Sequence, residues 1–201
     1  MKRRHEEMAP AQDPDADLVR RVREGERAAF DDLVVKYRNR VMGIAVRMLS
    51  DRAEAEDVAQ DIFVKAYRGL SGFQGEALFS TWLYRIAANG CLNHRKRRRP
   101  ERYLPADDPA LSPPDFASNP QVLVEERQLK LLVEKSIQNL PEEQRIVLIL
   151  RDIEGLTYEA IAEALAVELG TVRSRLYRAR MALQGMVKEL VFPDLKGGET
   201  L

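Results

Sequence analysis

The sequence predicts an all-α protein of two small helical domains joined by an acidic, proline-rich linker. Three observations predict it. Apolar residues recur at steps of three and four from Leu18 to about Arg99, and a second such block runs from Val122 to about Leu190. That spacing is the stripe of amphipathic helices. The 201 residues are 32% charged and 45% hydrophobic but only 6% aromatic, which favours soluble helix over sheet. Between the blocks, Pro105, Pro109, Pro113 and Pro114 stand among Asp107, Asp108 and Asp115, a density of proline that no helix survives. The expected organisation is therefore a flexible N-terminus (1–16), a first domain (17–100), an extended linker (101–121), a second domain (122–190) and a flexible tail (191–201).

In "LVRRVREGERAAFDDLVVKYRNRVMGIAVRML", Gly25 separates a short first helix from a longer one carrying Phe30, Leu33, Tyr37, Val41, Ile44 and Met48 inward. "SDRAEAEDVAQDIFVKAYRGL" opens with Ser50 or Asp51 as N-cap and acids in its first turn, both favourable at the positive end of a helix. "SGFQGEAL" has two glycines and no period, and reads as a loop. "FSTWLYRIAANGCLNHRKRRR" resumes a helix, with Ser80 or Thr81 as cap, and runs into a basic cluster. In the second block "LPEEQR" starts a helix with Pro141 near its first position, and "LTYEAIAEAL" starts another with Thr157 as cap.

Lys+Arg and Asp+Glu are both 32, so the net charge is zero. The charges are nevertheless sorted: "RAEAEDVAQD" is acidic and "HRKRRRPER" strongly basic, so a polyanion partner is not excluded. The single cysteine, Cys91, rules out an internal disulfide framework and suits a reducing compartment. "MKRRHEEMAPAQ" lacks the apolar run of a signal peptide, and no stretch approaches the roughly 20 apolar residues of a membrane span. A cytoplasmic protein without membrane insertion is expected. Cys91 and His94 have C-x-x-H spacing, but the other histidine is the distant His5; Asp57 and Asp61 stand at i,i+4 without a third ligand. Neither pattern predicts a metal or a cofactor.

"TVRSRLYRARMAL" places four arginines within two and a half turns. At about 100° per residue, Val172, Leu176, Ala179 and Leu183 share one narrow sector, the buried stripe. Arg173, Tyr177 and Arg180 flank it on one side and Thr171, Arg175 and Arg178 on the other, with Ser174 between. No acid interrupts this arc from Gly170 to Val187, whereas solvated faces usually mix signs through i,i+4 pairs. The preceding helix, "TYEAIAEAL", is short and amphipathic, and "AVEL" supplies a bend. Helix, turn and cationic helix form a helix-turn-helix, whose second helix lies in the DNA major groove. Arginine there pairs with guanine O6/N7, and Ser or Thr reaches bases or phosphates. The bland alternative is a basic surface helix with no nucleic acid.

"AEDVAQDIFVKAYRGL", "FSTWLYRIAANGCLNHRKRRR" and "LPEEQRIVLILRDIEGLTYEAIAEALAVELGTVRSRLYRARMAL" together resemble the extracytoplasmic-function (ECF) sigma factors, sigma-70 relatives that carry only the region-2 and region-4 domains. The resemblance covers about residues 17 to 190 and is nearest the sigma-E-like, stress-responsive group. It implies a non-catalytic subunit that binds core RNA polymerase, recognises minus-35 and minus-10 promoter elements and helps melt DNA, under the control of an anti-sigma factor. Localisation is then cytoplasmic, free or held at the membrane by that factor. Glu56, Asp57, Gln60, Asp61 and Val64 fall where the family grips the polymerase β′ clamp helices. Phe73, Gln74, Glu76, Ser80, Thr81 and Trp82 fall where it captures a nucleotide flipped from the minus-10 element. A glycine-containing loop beside aromatic rings suits an unstacked base, although core packing accounts for Trp82 equally well.

Asn93, His94, Arg95, Lys96 and Arg97 begin the basic run, which reads as phosphate contact. Thr171, Arg173, Ser174, Arg175, Tyr177 and Arg178 fall where the family reads the minus-35 element, with Arg151 and Thr157 as phosphate contacts beside them. "IVLILRDIEGL" is expected to be core with some surface left for the β flap. The acidic linker suits the basic cleft of the polymerase. Two departures stand out. Many members have Gly where this chain has Ala166 and Pro where it has Glu168, so the turn is expected to differ slightly in geometry. Gln74 and Leu78 replace residues that are often charged or polar in the family.

Two other functions fit parts of the sequence. A helix-turn-helix repressor or activator would not need "FSTWLYRIAANGCLNHRKRRR" or a cleft-threading linker. A nuclease using Asp57 and Asp61 would lack a nucleophile–base pair, a phosphate loop and sufficient metal ligands.

Overall fold

The computed structural model describes residues 13–98 and 120–191. Four helices form the first domain: α1 (Ala16–Arg23), α2 (Arg27–Leu49), α3 (Arg52–Gly69) and α4 (Phe79–Arg98). The second holds α5 (Pro120–Gln138), α6 (Glu142–Leu148) continued by one π-helical turn (Ile149–Ile153), α7 (Tyr158–Leu165) and α8 (Leu169–Val191). Among the described residues there is no strand, as the periodicity predicts.

Local chemistry sets the breaks. Gly25, at φ +100°, turns the chain between α1 and α2. Ser50 takes the left-handed conformation (φ 64°) that ends α2, and the Asp51 carboxylate caps α3 by accepting from Glu54 N at 3.0 Å. The inward stripes then meet: Leu33, Ile44, Met48, Ile62, Leu83 and Tyr84 are all almost fully buried. Gly90 lets α4 lie close on α3, since a Cβ there would stand 3.2 Å from Ile62. In the second domain Ile146 to Leu150 are buried without interruption, and Ile161, Val172, Leu176 and Ala179 close over them.

The two domains pack together rather than standing apart. Helix α7 lies along α4, and the C-terminal end of α2 meets α5 and α6. The seam is charge-complementary. Arg47 pairs with Glu134 (2.6 Å), Arg85 with Glu163 (2.8 Å) and Arg95 with Glu142 (2.9 Å), the arginine always from the first domain. Asn89 donates to the Ala164 carbonyl at 3.3 Å.

Some boundaries move. Residues 13–15, expected in the flexible N-terminus, are fixed: the buried Asp15 carboxylate accepts from the Tyr37 hydroxyl and pairs with Lys36. Helix α4 starts at Phe79, ahead of the expected caps Ser80 and Thr81, and its first N–H donates to the Asp13 carboxylate at 2.8 Å. Pro120, the penultimate residue of the expected linker, opens α5, where its missing N–H costs nothing. Helix α8 begins at Leu169, the last residue of the expected bend "AVEL", and its last residue is Val191. Expectations for 1–12, the rest of the linker and 192–201 lie outside the described residues.

Candidate nucleic-acid interface

The second domain presents α7, a tight turn and α8. Thr157 caps α7, its hydroxyl accepting from Ala160 N at 3.1 Å. The helix ends at Ala166, which adopts the left-handed conformation (φ 52°, ψ 49°), and Val167 N closes back onto the Ala162 carbonyl at 3.0 Å. The turn therefore keeps the geometry that glycine favours, with the strain carried by an alanine.

Along α8 the stripe falls as expected: Val172, Leu176 and Ala179 are buried and Leu183 is partly so. Arg173, Ser174, Tyr177 and Arg178 are exposed, with Tyr177 at 68%, and Thr171 is half-buried. The arginines divide in a way the linear sequence does not show. Arg175 pairs with Glu143 of α6 at 2.5 Å, and Arg180 makes a two-pronged pair with Asp152 at 3.0 and 2.5 Å. The arc that is free of acids in sequence is thus partly neutralised in space. No ion pair involves Arg173 or Arg178 among the described residues. Arg151 donates to the Leu156 carbonyl at 2.6 Å and lies 4.8 Å over the Tyr158 ring, so it also braces the entry to α7.

In the first domain a 3-10 turn (Leu70–Gly72) leads into the loop before α4. Phe73 is buried and packs with Phe79 and Trp82, at ring separations of 6.2 and 5.2 Å; Trp82 is half-buried and 5.7 Å from Phe79. Gly69 makes room for the indole, because a Cβ there would lie 3.3 Å from it. Phe73, Gln74, Glu76, Thr81 and Trp82 line one pocket of about 290 Å³, whose opposite wall is Glu163 and Ala164 of α7. Ser80 is half-buried and outside that lining.

The basic run is not gathered with this pocket. Arg95 stands thirteen residues after Trp82, about 20 Å along a helix rising 1.5 Å per residue. Asn93, Lys96 and Arg97 are exposed. His94 meets Glu54 of α3 at 3.2 Å, and Arg95 donates to the Met48 carbonyl at 2.7 Å besides its pair with Glu142. On α3, Asp57, Gln60, Asp61 and Val64 form one exposed face, with Glu56 beside it held by Arg52 at 3.1 Å. Among the described residues no group of three or more His, Cys, Asp or Glu is placed to hold a metal ion, and no helix is long and apolar enough to cross a membrane. Cys91 is buried, and burial pushes its thiol up to about 12.

Several residues at these surfaces are not picked out by motif. Arg85, on the pocket wall, shares a helical face with Thr81 and Trp82, which the i,i+3/i+4 spacing could have shown. Arg145, 4% exposed, has no such signal, because its partners are backbone carbonyls brought together only by the fold.

Together these features define a two-domain helix-turn-helix protein with separate cationic, aromatic and acidic faces. Residues 33–101 match the family Sigma-70 region 2, and residues 130–183 match Sigma-70, region 4. The chain is 43% identical over 187 residues to the RNA polymerase sigma-H factor of Pseudomonas aeruginosa, covering 90% of this chain and 97% of that one. It is 39% identical over 184 residues to the ECF RNA polymerase sigma-E factor of Escherichia coli K12, covering 87% and 94%. In fold it resembles CnrH, solved in complex with the cytosolic domain of CnrY (TM-score 0.63, 24% identity, 87% of this chain and 97% of that one). It also resembles the sigma factor RpoE of Bartonella quintana, solved in complex with the anti-sigma factor NepR (TM-score 0.65, 24% identity, 79% and 96%). The chain belongs to the extracytoplasmic-function group of the sigma-70 family. It is a transcription initiation factor that recognises promoters.

Proposed function

We propose that the chain divides promoter recognition between its two domains, with α8 on the minus-35 element and the α4 pocket on the minus-10 element. The observation that carries this reading is the exposed set Arg173, Ser174, Tyr177 and Arg178 on one face of α8, with both arginines outside any ion pair among the described residues. Bidentate donors on a helix of this kind suit guanine edges in the major groove. Thr171 and Arg175 extend the face, and Arg151 and Thr157 meet the phosphates beside it. The aromatic pocket takes an unstacked minus-10 base, with Gln74, Glu76 and Thr81 offering polar groups to its edge and Ser80 beside it. Asn93 to Arg97 follow the backbone phosphates.

The exposed face of α3, from Glu56 to Val64, docks on the β′ clamp helices of core RNA polymerase. Ile153, 41% exposed and three residues past the end of the buried run Ile146 to Leu150, supports contact with the β flap. The chain has no catalytic activity of its own; the polymerase supplies the chemistry. It works in the cytoplasm and is restrained by an anti-sigma factor, the kind of partner that holds the Bartonella protein. The acidic pairing residues Glu134, Glu142 and Glu163 hold the readers together in the free chain. Polymerase binding then fixes their spacing and joins two weak contacts into one bipartite contact.

Base-by-base promoter scanning with reconstituted holoenzyme tests this division. Trp82→Ala and Gln74→Ala are expected to change sensitivity only at the downstream element, and Arg173→Ala only at the upstream one. Variants of either set that act on both elements equally would refute it.

A further inference from the structure

The N-terminal strap, Asp13 to Asp15, reaches the loop that precedes α4. The first N–H of α4 needs an acceptor, and Leu78, which precedes Phe79, has an apolar side chain. Asp13 supplies the acceptor from 66 positions away: one carboxylate oxygen accepts from Phe79 N at 2.8 Å, and the other accepts from Asp15 N at 3.0 Å. A carboxylate at this end of a helix is favoured by the unpaired N–H groups as well.

The strap is itself anchored. The buried Asp15 carboxylate accepts from the Tyr37 hydroxyl, and the Tyr37 ring stands 5.6 Å from Phe79. Phe79 in turn packs on Phe73 and Trp82. A groove of about 850 Å³ runs between α1 and the loop, with Val19 and Arg23 on one wall, Gln74 and Leu78 on the other, and Asp13 in its lining. Asp13 therefore joins three parts: the start of α1, the end of the loop, and the first turn of α4, which carries Ser80, Thr81 and Trp82.

We infer that Asp13 is a positioning residue for nucleotide capture, fixing the junction of the loop with α4 so that the Trp82 pocket is already formed when the minus-10 base leaves the stack. This rests on the reading of that pocket given above. Preorganisation of this sort acts on the melting step and leaves the initial encounter with duplex alone.

The test uses holoenzyme made with the full chain and follows two quantities on one promoter: affinity for the duplex in the initial complex, and the rate at which minus-10 thymines become reactive to permanganate. Asp13→Asn keeps the shape but leaves one side-chain oxygen for two N–H donors. It is expected to slow opening about tenfold, the loss of one charge-assisted hydrogen bond, with initial affinity unchanged. In the free full chain, acrylamide quenching of Trp82, the one tryptophan present, should increase. Leu78→Ser, with the single variant as its reference, supplies a local cap. Added to Asp13→Asn, it should restore thermal stability and leave opening slow. Opening at the wild-type rate in Asp13→Asn overturns the inference, as does recovery of the rate by the local cap, which would make Asp13 a helix cap only. If wild-type holoenzyme itself gives no reactive thymines, the reading of the pocket fails, and the positioning role fails with it.

Discussion

Arg145 of α6 donates through Nη1 to the Met48 carbonyl of α2 at 2.9 Å and through Nη2 to the Leu140 carbonyl at 2.8 Å. One guanidinium thus satisfies the end of a helix in the first domain and, in the second, both Gln138 at the end of α5 and Leu140 just beyond it. The cost is visible in its acidity: burial first, and the neighbouring charge of Arg95 second, pull Arg145 down to about 10.

Arg145→Met is expected to destabilise the chain by about 2–4 kcal/mol, because several buried carbonyls lose their donor at once. Arg145→Lys recovers only part of this, since an ammonium cannot reproduce the planar fork. Urea unfolding of the two variants against wild type measures both losses.

Ala166→Gly relieves a left-handed alanine at the corner of the helix-turn-helix. The variant is expected to gain about 1 kcal/mol, read as a rise in the urea midpoint. The gain confirms that the departure from glycine in this turn is met by strain and not by a different turn.

Glu154 sits at the seam with Tyr84, Arg40 and Arg47 around it. Burial raises its carboxyl above the ordinary value of 4.5, outweighing the Tyr84 hydrogen bond and the two arginines that lower it. The folded state therefore binds this proton more tightly than the unfolded state does. Its contribution to stability falls as pH rises through the window above 4.5 and recovers on acidification. Glu154→Gln is expected to be more stable than wild type at pH 7 and to lose that advantage at and below pH 4.5. Thermal melts across this range provide the check.

Cys91 is the chain's one thiol, buried and held up to about 12 by desolvation. Iodoacetamide at pH 8 is expected to leave the native chain unlabelled and to label it fully in urea, as mass spectrometry of the intact chain would show. Rapid native labelling would mean that α4 opens from the first-domain core.

On α8, Arg173→Ala is expected to relax preference at one minus-35 position by about 1–3 kcal/mol. Glu143→Gln should act oppositely. It frees Arg175 from its 2.5 Å partner and raises affinity for minus-35 duplex, more at low salt than at high salt. Fluorescence anisotropy on single-base duplex variants separates the two effects.

Much of this fold is legible in the sequence because helical burial repeats locally. The stripe Val172, Leu176, Ala179 is visible without coordinates, as are the Gly25 break and the Thr157 cap. The face of α3 and the aromatic pocket follow from the resemblance and the spacing. What the sequence conceals is pairing over distance. Glu143 and Asp152 lie 32 and 28 positions from the arginines they neutralise, and Asp13 lies 66 positions from the N–H it caps. Helical periodicity cannot report such contacts, since they depend on how whole elements are laid together. The seam between domains is hidden in the sequence for the same reason. From the sequence Arg95 reads as a phosphate contact and Arg85 carries no signal, whereas α6 and α7 bring Glu142 and Glu163 against them.

The central claim is that two separate readers on one chain direct polymerase to a bipartite promoter. Run-off transcription from a randomised promoter library, with purified core RNA polymerase and the full chain, tests it most directly. The expected result is a set of transcripts whose templates share two short motifs at a fixed spacing, with Arg173→Ala degenerating one motif and Trp82→Ala the other. Absence of promoter-dependent transcript from a core enzyme of proven activity, or selection of a single motif sensitive to both substitutions, would contradict it.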